Sequence, residues 1–408
     1  MIERINSQIS IHTALLRTAQ TALADIPRKL HSVGRYPHQR LSTRTQSWSR
    51  SKQADRDLGG VIPLVVRPRT PVEELNPRQW LANGNPRLGK LIGETIGNHW
   101  NVQLEALQQL EPLAEGSFFQ KRWQAVKRAN KQVLADRLYR LQGITINVDS
   151  LFDVQLQPIE SKQRQLLNIL HIITLFNRIK ENPRIDLVPR TFIFGETESI
   201  GLPSSCLNEP TKAQDNRVIL LLIRSLTKML LADPDVNGRL QVIYIPQSAG
   251  LNDEIYAAAD LTEQIEVAQA EDFDLSKLKF AANGVLSIGS LSKANQIVQQ
   301  TVGEDNYFSF GLAIPEIALF KEYGYDPHNY YKYYPEVQQT IDSLLAGKFT
   351  PGYPAACRDL IDHLFGIDEE MILVDYVFYL TAQAHVSEIY RQQSVWTQMS
   401  IMNVAGVG

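Results

Sequence analysis

The segments RTFIFGE (190–196), NRVILLLIRSLTKMLLA (216–232) and LQVIYIP (240–246) decide the fold class. The first and third are short runs of β-branched and aromatic residues, which favour strands. The middle one is apolar almost all round, yet it carries Arg224 and Lys228 and is too short to span a bilayer, so it reads as a buried helix. Strand, helix, strand in this order requires a right-handed crossover and a parallel sheet covered on both faces.

Outward from that unit the same texture continues. GVLSIGS (284–290) and NYFSFGL (306–312) read as further strands, and a helix is expected over LTEQIEVAQ (261–269). Upstream, KQRQLLNILHIITLFNRIK (162–180) places Leu166, Leu170, Ile173 and Phe176 at helical spacing and stops at Pro183. Helical patterns also fill PRLGKLIGETIGNHW (86–100), LEALQQLEPL (104–113) and FFQKRWQAVKRANKQVLADRLYRLQG (118–143), the last closing on Gly143 as a C′ glycine. The final stretch is helical again, with MILVDYVFYLTAQAHVSEIYRQ (371–392) its longest piece. The expectation is an α/β, Rossmann-like parallel-sheet domain with helical flanks.

The chain has 408 residues, 44% of them apolar and 21% charged, with a net charge of −3, which argues against a chain devoted to nucleic acid. Cys206 and Cys357 stand far apart, outside any metal-binding spacing. No metal site is therefore expected, and a reduced, cytoplasmic setting is. MIERINSQIS has polar and charged residues where a signal peptide needs an apolar core, and no membrane association is expected. Residues 1–75 form an expected N-terminal extension, with an amphipathic helix over Ile5 to Ala24. A basic arm at 28–56 follows, with eight Lys/Arg against Asp55 and too few aliphatic residues to offset ordering entropy. It reads as a solvated linker, and nucleic acid as an unlikely partner. The α/β domain is expected over 76–408.

These residues resemble a known family. SLFDVQ (150–155), RQLLNILHIITLFNRIK, VPRTFIFG, DPDVNGRLQVIYI, AAADLTEQI, KFAANGVLSIGS and GEDNYFSFGL look, in that order, like the C-terminal half of the glycogen and starch phosphorylases, glycosyltransferase family 35. NPRQWLANGNPRLGKLI resembles the opening of that half, and SEIYRQQSVWTQMSIMNVA its end. Nothing before Asn76 resembles the family's N-terminal domain, the other wall of its cleft. The resemblance implies one half of a GT-B-type fold. It also implies pyridoxal phosphate bound as a lysine Schiff base, with the cofactor's phosphate serving phosphorolysis of an α-1,4-glucan to glucose 1-phosphate.

The stretch AEDFDLSKLKFAANG (270–284) carries the implied site. KLKFAANG aligns without gaps and sets Lys279 at the family's Schiff-base position. Trp80 stands at a family cofactor contact, and Glu271 at a glucosyl contact. The family's preceding turn reads Glu-Ala-Ser-Gly-Thr-Gly, whose glycines let backbone N–H groups close on a phosphate. Here it reads Glu271, Asp272, Phe273, Asp274, Leu275, Ser276. Two unit charges ~4 Å apart interact by roughly 4 kcal/mol at a dielectric of ~20, so Asp272 and Asp274 oppose a dianion unless they point away. The family's basic strip after FDVQ has become Leu156, Gln157, Pro158, Ile159, Glu160, Ser161, Lys162, Gln163, Arg164, with only Arg164 in place. Gly195, Glu196, Thr197 stand for its Gly-Gly-Lys, and Ser292, Lys293, Ala294, Asn295 for its Asp-Gly-Ala-Asn.

Lys279, Trp80 and Glu271 therefore read as vestigial positions, with no catalytic residue assigned and no bound cofactor expected. The reading is a degenerate glycogen phosphorylase-like protein, a pseudoenzyme of carbohydrate metabolism acting as a glucan-related binding or regulatory module. An active phosphorylase or another protein, or an α-glucan, is its expected partner. The alternatives are a pyridoxal-phosphate-dependent α-glucan phosphorylase with an unusual site, and a decayed gene product. Structural roles also suit several matches: a packed indole for Trp80, a helix N-cap and first-turn acid for Asp260 and Glu263, and a turn asparagine for Asn283.

Overall fold

A computed structural model describes residues 77–157, 164–196, 210–246, 249–268, 270, 273, 276–350, 354–366 and 368–408. The expected helix and basic arm of residues 1–75 lie outside the described residues, as does Cys206. All described residues fall in one unit, Thr70–Gly408.

The chain enters through α1 (Pro77–Ala82) and α2 (Pro86–Ile96), then two 3-10 segments (Asn98–Asn101 and Leu104–Leu113), then the long α3 (Ser117–Gln142). LEALQQLEPL is thus helical but tight, in keeping with Pro112, which has no N–H to give an α-helical ladder. α3 ends as its sequence predicts. Gly143 takes a left-handed φ of 70° and its N–H bonds Tyr139 O.

From β1 (Leu151–Gln157) strands and helices alternate: α4 (Gln165–Glu181), β2 (Arg190–Glu196), α5 (Pro210–Ala232), β3 (Leu240–Ile245), α6 (Asn252–Ala258) and β4 (Leu261–Gln264). α7 (Ser276–Ala282), β5 (Leu286–Ser290), α8 (Lys293–Val302) and β6 (Tyr307–Phe310) complete the sheet. Its order is β3-β2-β1-β4-β5-β6, and every pairing is parallel. This is the doubly wound order in which direction reverses between β1 and β4.

One expectation is corrected. LTEQIEVAQ is no helix: LTEQ is β4, paired with β1 through Asp153↔Leu261 and with β5 through Leu261↔Leu286. The roles of helix N-cap and first-turn acid expected for Asp260 and Glu263 fall with that helix. Both residues are buried, Glu263 in the sheet interior and Asp260 at the strand's entrance. The helix of this crossover is α6, which precedes the strand.

Two cores flank the sheet. Leu151, Phe192, Phe194, Leu261 and Ile288 face α4, α5 and the C-terminal helices. Phe152, Val154, Ile193 and Ile243 face α3, α6 and α7. α4 is buried nearly all round, which explains why its apolar pattern is wider than one stripe. α9 (Ile314–Tyr323) packs Ile317 and Phe320 on a small cluster of Leu312, Met371 and Val374, while α10 (Pro327–Tyr333), α11 (Pro335–Leu345), α12 (Pro354–Gly366) and α13 (Ile372–Arg391) cover the first face. α14 (Gln393–Gly406) returns to the opposite side, where Ile401 and Val404 join Leu81, Leu107 and Trp100 in a third core. Trp123 Nε1 donates to Ser400 Oγ at 2.9 Å, and Ser400 Oγ donates to Gly284 O at 2.5 Å. Gly284 must be glycine, because its φ is 65° and a Cβ would lie 2.7 Å from that hydroxyl. Among the described residues no helix is long and apolar enough to cross a membrane.

Asp260 ties the flanking helix to the sheet. Its Oδ2 accepts from Phe152 N at 2.9 Å and from Lys131 Nζ at 2.6 Å, and Lys131 also donates to Ser150 O at 2.6 Å. Both side chains are 5% exposed. Asp260→Ala leaves a buried ammonium without its counter-charge, and a loss of about 3–5 kcal/mol is expected in urea unfolding.

Candidate functional site at the strand carboxyl ends

In open α/β sheets the crevice outside the strand carboxyl ends, where the order reverses, is the usual ligand site. Here that is the region beyond β1 and β4. After Gln264 the chain leaves the sheet, and Glu266 becomes the centre of a polar cluster. Lys277, on α7, directs its ammonium to Glu266 Oε1 and also donates to Asn295 Oδ1 at 2.9 Å. Its side chain is 4% exposed. Ser292 Oγ donates to Glu266 Oε2 at 3.1 Å and accepts from Asn295 N at 3.1 Å, capping α8. Ser290 Oγ accepts from Glu266 N at 3.1 Å and donates to Glu266 O at 2.6 Å. Asn295 Nδ2 donates to Gln264 O and Ser290 O at 2.8 and 2.9 Å.

Lys279 lies on α7 two residues beyond Lys277, on another side of the helix. Its Nζ donates to Asp253 Oδ1 at 2.8 Å and sits 4.3 Å from the centroid of the Tyr256 ring. Trp80, on α1, is buried, and α1 packs on α7. Asn283 is more than a turn residue. Asn130 Nδ2 donates to Asn85 Oδ1, and Asn85 Nδ2 to Asn283 Oδ1, each at 2.9 Å. Asn283 Nδ2 in turn donates to Lys279 O at 2.8 Å, so three buried amides tie α2 and α3 to the end of α7. Glu271, Asp272, Asp274 and Leu275 lie outside the described residues, as do Pro158 and Gln163. Phe273 is described, and its ring packs on the cluster of Ala281, Val298 and Tyr307.

Arg164, the matched residue of the basic strip, sits at the N-cap of α4 and is buried. Its guanidinium donates to Asp375 Oδ2 at 2.7 Å and to Glu370 O at 2.8 Å. Asp375 Oδ1 also accepts from Leu312 N at 3.0 Å, holding the chain as it leaves β6. There Gly311 takes a φ of 88°, and a Cβ would come within 2.9 Å of the same carboxylate. Sequence reasoning missed Asp375 and the Glu266–Lys277 pair. Asp375 lies in an apolar helical run far from Arg164 in sequence. Glu266 fell within the helix expected over 261–269.

Beneath the crevice a buried carboxyl pair joins β1 to β4. Glu263 and Asp153 share a hydrogen bond. Burial first, and then Asp153, pushes the Glu263 carboxyl well above the usual range. Burial also raises Asp153, against the opposing pull of Arg190. Asp153 Oδ1 and Glu263 Oε2 lack any other partner among the described residues, the arrangement of two carboxyls holding one proton. His171 beside them is kept neutral, chiefly by burial and secondarily by the charge of Arg190.

Comparison with known proteins agrees with this architecture. The family model described as carbohydrate phosphorylase matches residues 72–408. The chain is 38% identical over 335 residues to a glycogen phosphorylase of Synechocystis sp., covering 82% of this chain and 38% of that protein. To the muscle-form glycogen phosphorylases of Mus musculus and Homo sapiens it is 35% and 34% identical over the same span and shares. The doubly wound parallel sheet defines the class, and the chain belongs to the carbohydrate phosphorylase family. It spans 38% of the length of these relatives.

Two outcomes follow from the geometry. Asp375→Ala strands a buried guanidinium and is expected to cost about 3–5 kcal/mol, whereas Lys279→Ala, losing one partly exposed pair, costs under about 1 kcal/mol. Chemical denaturation of both variants checks the contrast. The second outcome concerns pH. The folded state retains a proton on Glu263 that the unfolded chain releases near the ordinary glutamate pKa, so stability falls as pH rises from there toward the raised value. Glu263→Gln removes this proton linkage. Its stability relative to wild type should climb by up to about 1.4 kcal/mol per pH unit across that window, read as a pH series of unfolding midpoints.

Proposed function

We propose that this chain is a phosphorylase-family module that does not carry out phosphorolysis and acts by binding. One observation carries the reading: Arg164, Lys277 and Lys279 each face a carboxylate of the same chain, Asp375, Glu266 and Asp253 respectively. A site for a phosphate-bearing cofactor and a phosphate substrate needs preorganised positive charge that is not already neutralised. Pyridoxal phosphate is the family's cofactor. The described residues do not fit it, because the ammonium that would form the Schiff base is held by Asp253 and Tyr256, and the buried cation beside it by Glu266. The sequence at 271–276 supports the same reading, with neither glycine of the family's motif and with two aspartates in it.

The relatives are named as glycogen phosphorylases, which makes an α-glucan or an active phosphorylase the partner of choice for the binding role. Co-sedimentation with glycogen and co-elution with an active phosphorylase distinguish these two. The opposing reading is a pyridoxal-phosphate-dependent α-1,4-glucan phosphorylase releasing glucose 1-phosphate.

The decisive experiment is an absorbance spectrum of the purified chain with pyridoxal phosphate, followed by borohydride reduction and peptide mapping. No adduct at Lys279 is expected. A reduced adduct at Lys279 in the wild type that is absent from Lys279→Ala overturns the proposal.

A further inference from the structure

The Glu266 carboxylate is placed as a bound anion would be. One oxygen receives the ammonium of Lys277, and the other receives the hydroxyl of Ser292 at 3.1 Å. Ser292 is also the cap of α8, ten residues long, so the carboxylate lies beside the positive end of that helix. Its backbone is pinned on both sides by Ser290 Oγ. The two donors belong to separate segments: Lys277 to α7, and Ser292 to the junction of β5 and α8. Such convergence of a buried cation and a hydroxyl on two oxygens is how proteins hold a carboxylate or phosphate.

A second, independent feature points to the same place. Tyr307 is 7% exposed, and its hydroxyl has no hydrogen-bond partner among the described residues. Burial, then the charges of Glu266 and Glu263, holds the phenol well above its ordinary pKa, so it remains a potential donor. The hydroxyl lies over Gly289. A Cβ there would sit 2.0 Å from it and 2.8 Å from Asn295 Nδ2. A polar tyrosine tip thus ends beside the cluster with an unused donor. Buried polar atoms without partners are uncommon and mark places where a ligand or water completes the set.

We propose that Glu266 is a built-in anion: its carboxylate fills an oxyanion site formed by Lys277 and Ser292 and excludes an external phosphate-class oxyanion from the crevice beyond β4 and β5. The inference rests on the reading of this chain as one that binds no phosphate cofactor, and it names the residue that enforces that state. Lys277 alone would be a buried, electropositive group open to small oxyanions. With Glu266 in place its charge is neutralised and its geometry is taken.

The test is anion rescue in the full chain. Glu266→Ala removes the carboxylate and leaves the Lys277 ammonium without its counter-charge. Its thermal stability should rise with inorganic phosphate, and with formate as a carboxylate mimic, beyond the effect of chloride at equal ionic strength. The wild type should not respond. Isothermal titration with inorganic phosphate should show a gain of at least about tenfold in affinity over wild type, the scale of one charge-assisted hydrogen bond. The double variant Glu266→Ala, Lys277→Ala should lose the response. If Glu266→Ala does not fold, Glu266→Ser also vacates the oxyanion position and carries the same test. A folded single variant without a phosphate response overturns the proposal. So does a response that survives in the double variant, or equal phosphate binding by wild type. This result is separable from the cofactor experiment, which reads covalent chemistry at Lys279 in the wild type. Either can fail alone.

Discussion

The Arg190 guanidinium, 1% exposed at the entrance of β2, is the contact on which the placement of the other elements depends. It donates to Asp153 Oδ2 at 3.0 Å on β1 and to Gln383 Oε1 at 2.5 Å on α13, with further bonds to Gln383 O and Ser387 Oγ. Gln383 Nε2 then donates to Glu263 Oε1 on β4 and to Tyr379 OH, each at 2.7 Å. Burying a guanidinium costs several kcal/mol, so the ion is tolerable only with its acceptors in place. A slip of β1 or β4, or a shift of α13, would leave a charge without a partner. The network therefore specifies register as well as proximity.

From α13 the constraint passes to the crevice. The same helix carries Asp375, which holds Arg164 at the start of α4 and Leu312 N at the end of β6. The two ends of the polar rim, beyond β1 and beyond β6, thus depend on one helix whose position Arg190 sets. Between them the cluster of Glu266, Lys277, Ser292 and Asn295 occupies the ends of β4 and β5. Charge at this edge is matched inside the chain, carboxylate to cation. Among the described residues there, the cations Arg164 and Lys277 each meet a carboxylate.

Much of this was legible in the sequence, and the exceptions are instructive. β2, α5 and β3 follow directly from RTFIFGE, NRVILLLIRSLTKMLLA and LQVIYIP, because short β-branched runs and a long apolar helix leave little ambiguity. Gly143 closes α3 where a left-handed residue is needed. LTEQ misled because its polarity suggested exposure, whereas Glu263 and Thr262 are buried between two neighbouring strands. The position of Lys279 could be read from KLKFAANG. Its engagement by Asp253 and Tyr256 could not, because those residues lie on α6, beyond any local pattern. Glu266 and Lys277 carried no visible relation, since a charge pair across an intervening turn has no periodic signature.

The sequence by itself determined the fold class, the elements with a strong apolar pattern and the descent from phosphorylases, because apolar periodicity and collinear motifs are local properties of the chain. The resemblance further implies that glycines and basic residues expected of a phosphate site are replaced. Tertiary structure alone decided which carboxylate each remaining cation meets: Asp375 for Arg164, Glu266 for Lys277, Asp253 for Lys279. Electrostatic neutralisation depends on distance in space and on burial, neither of which is written in residue order.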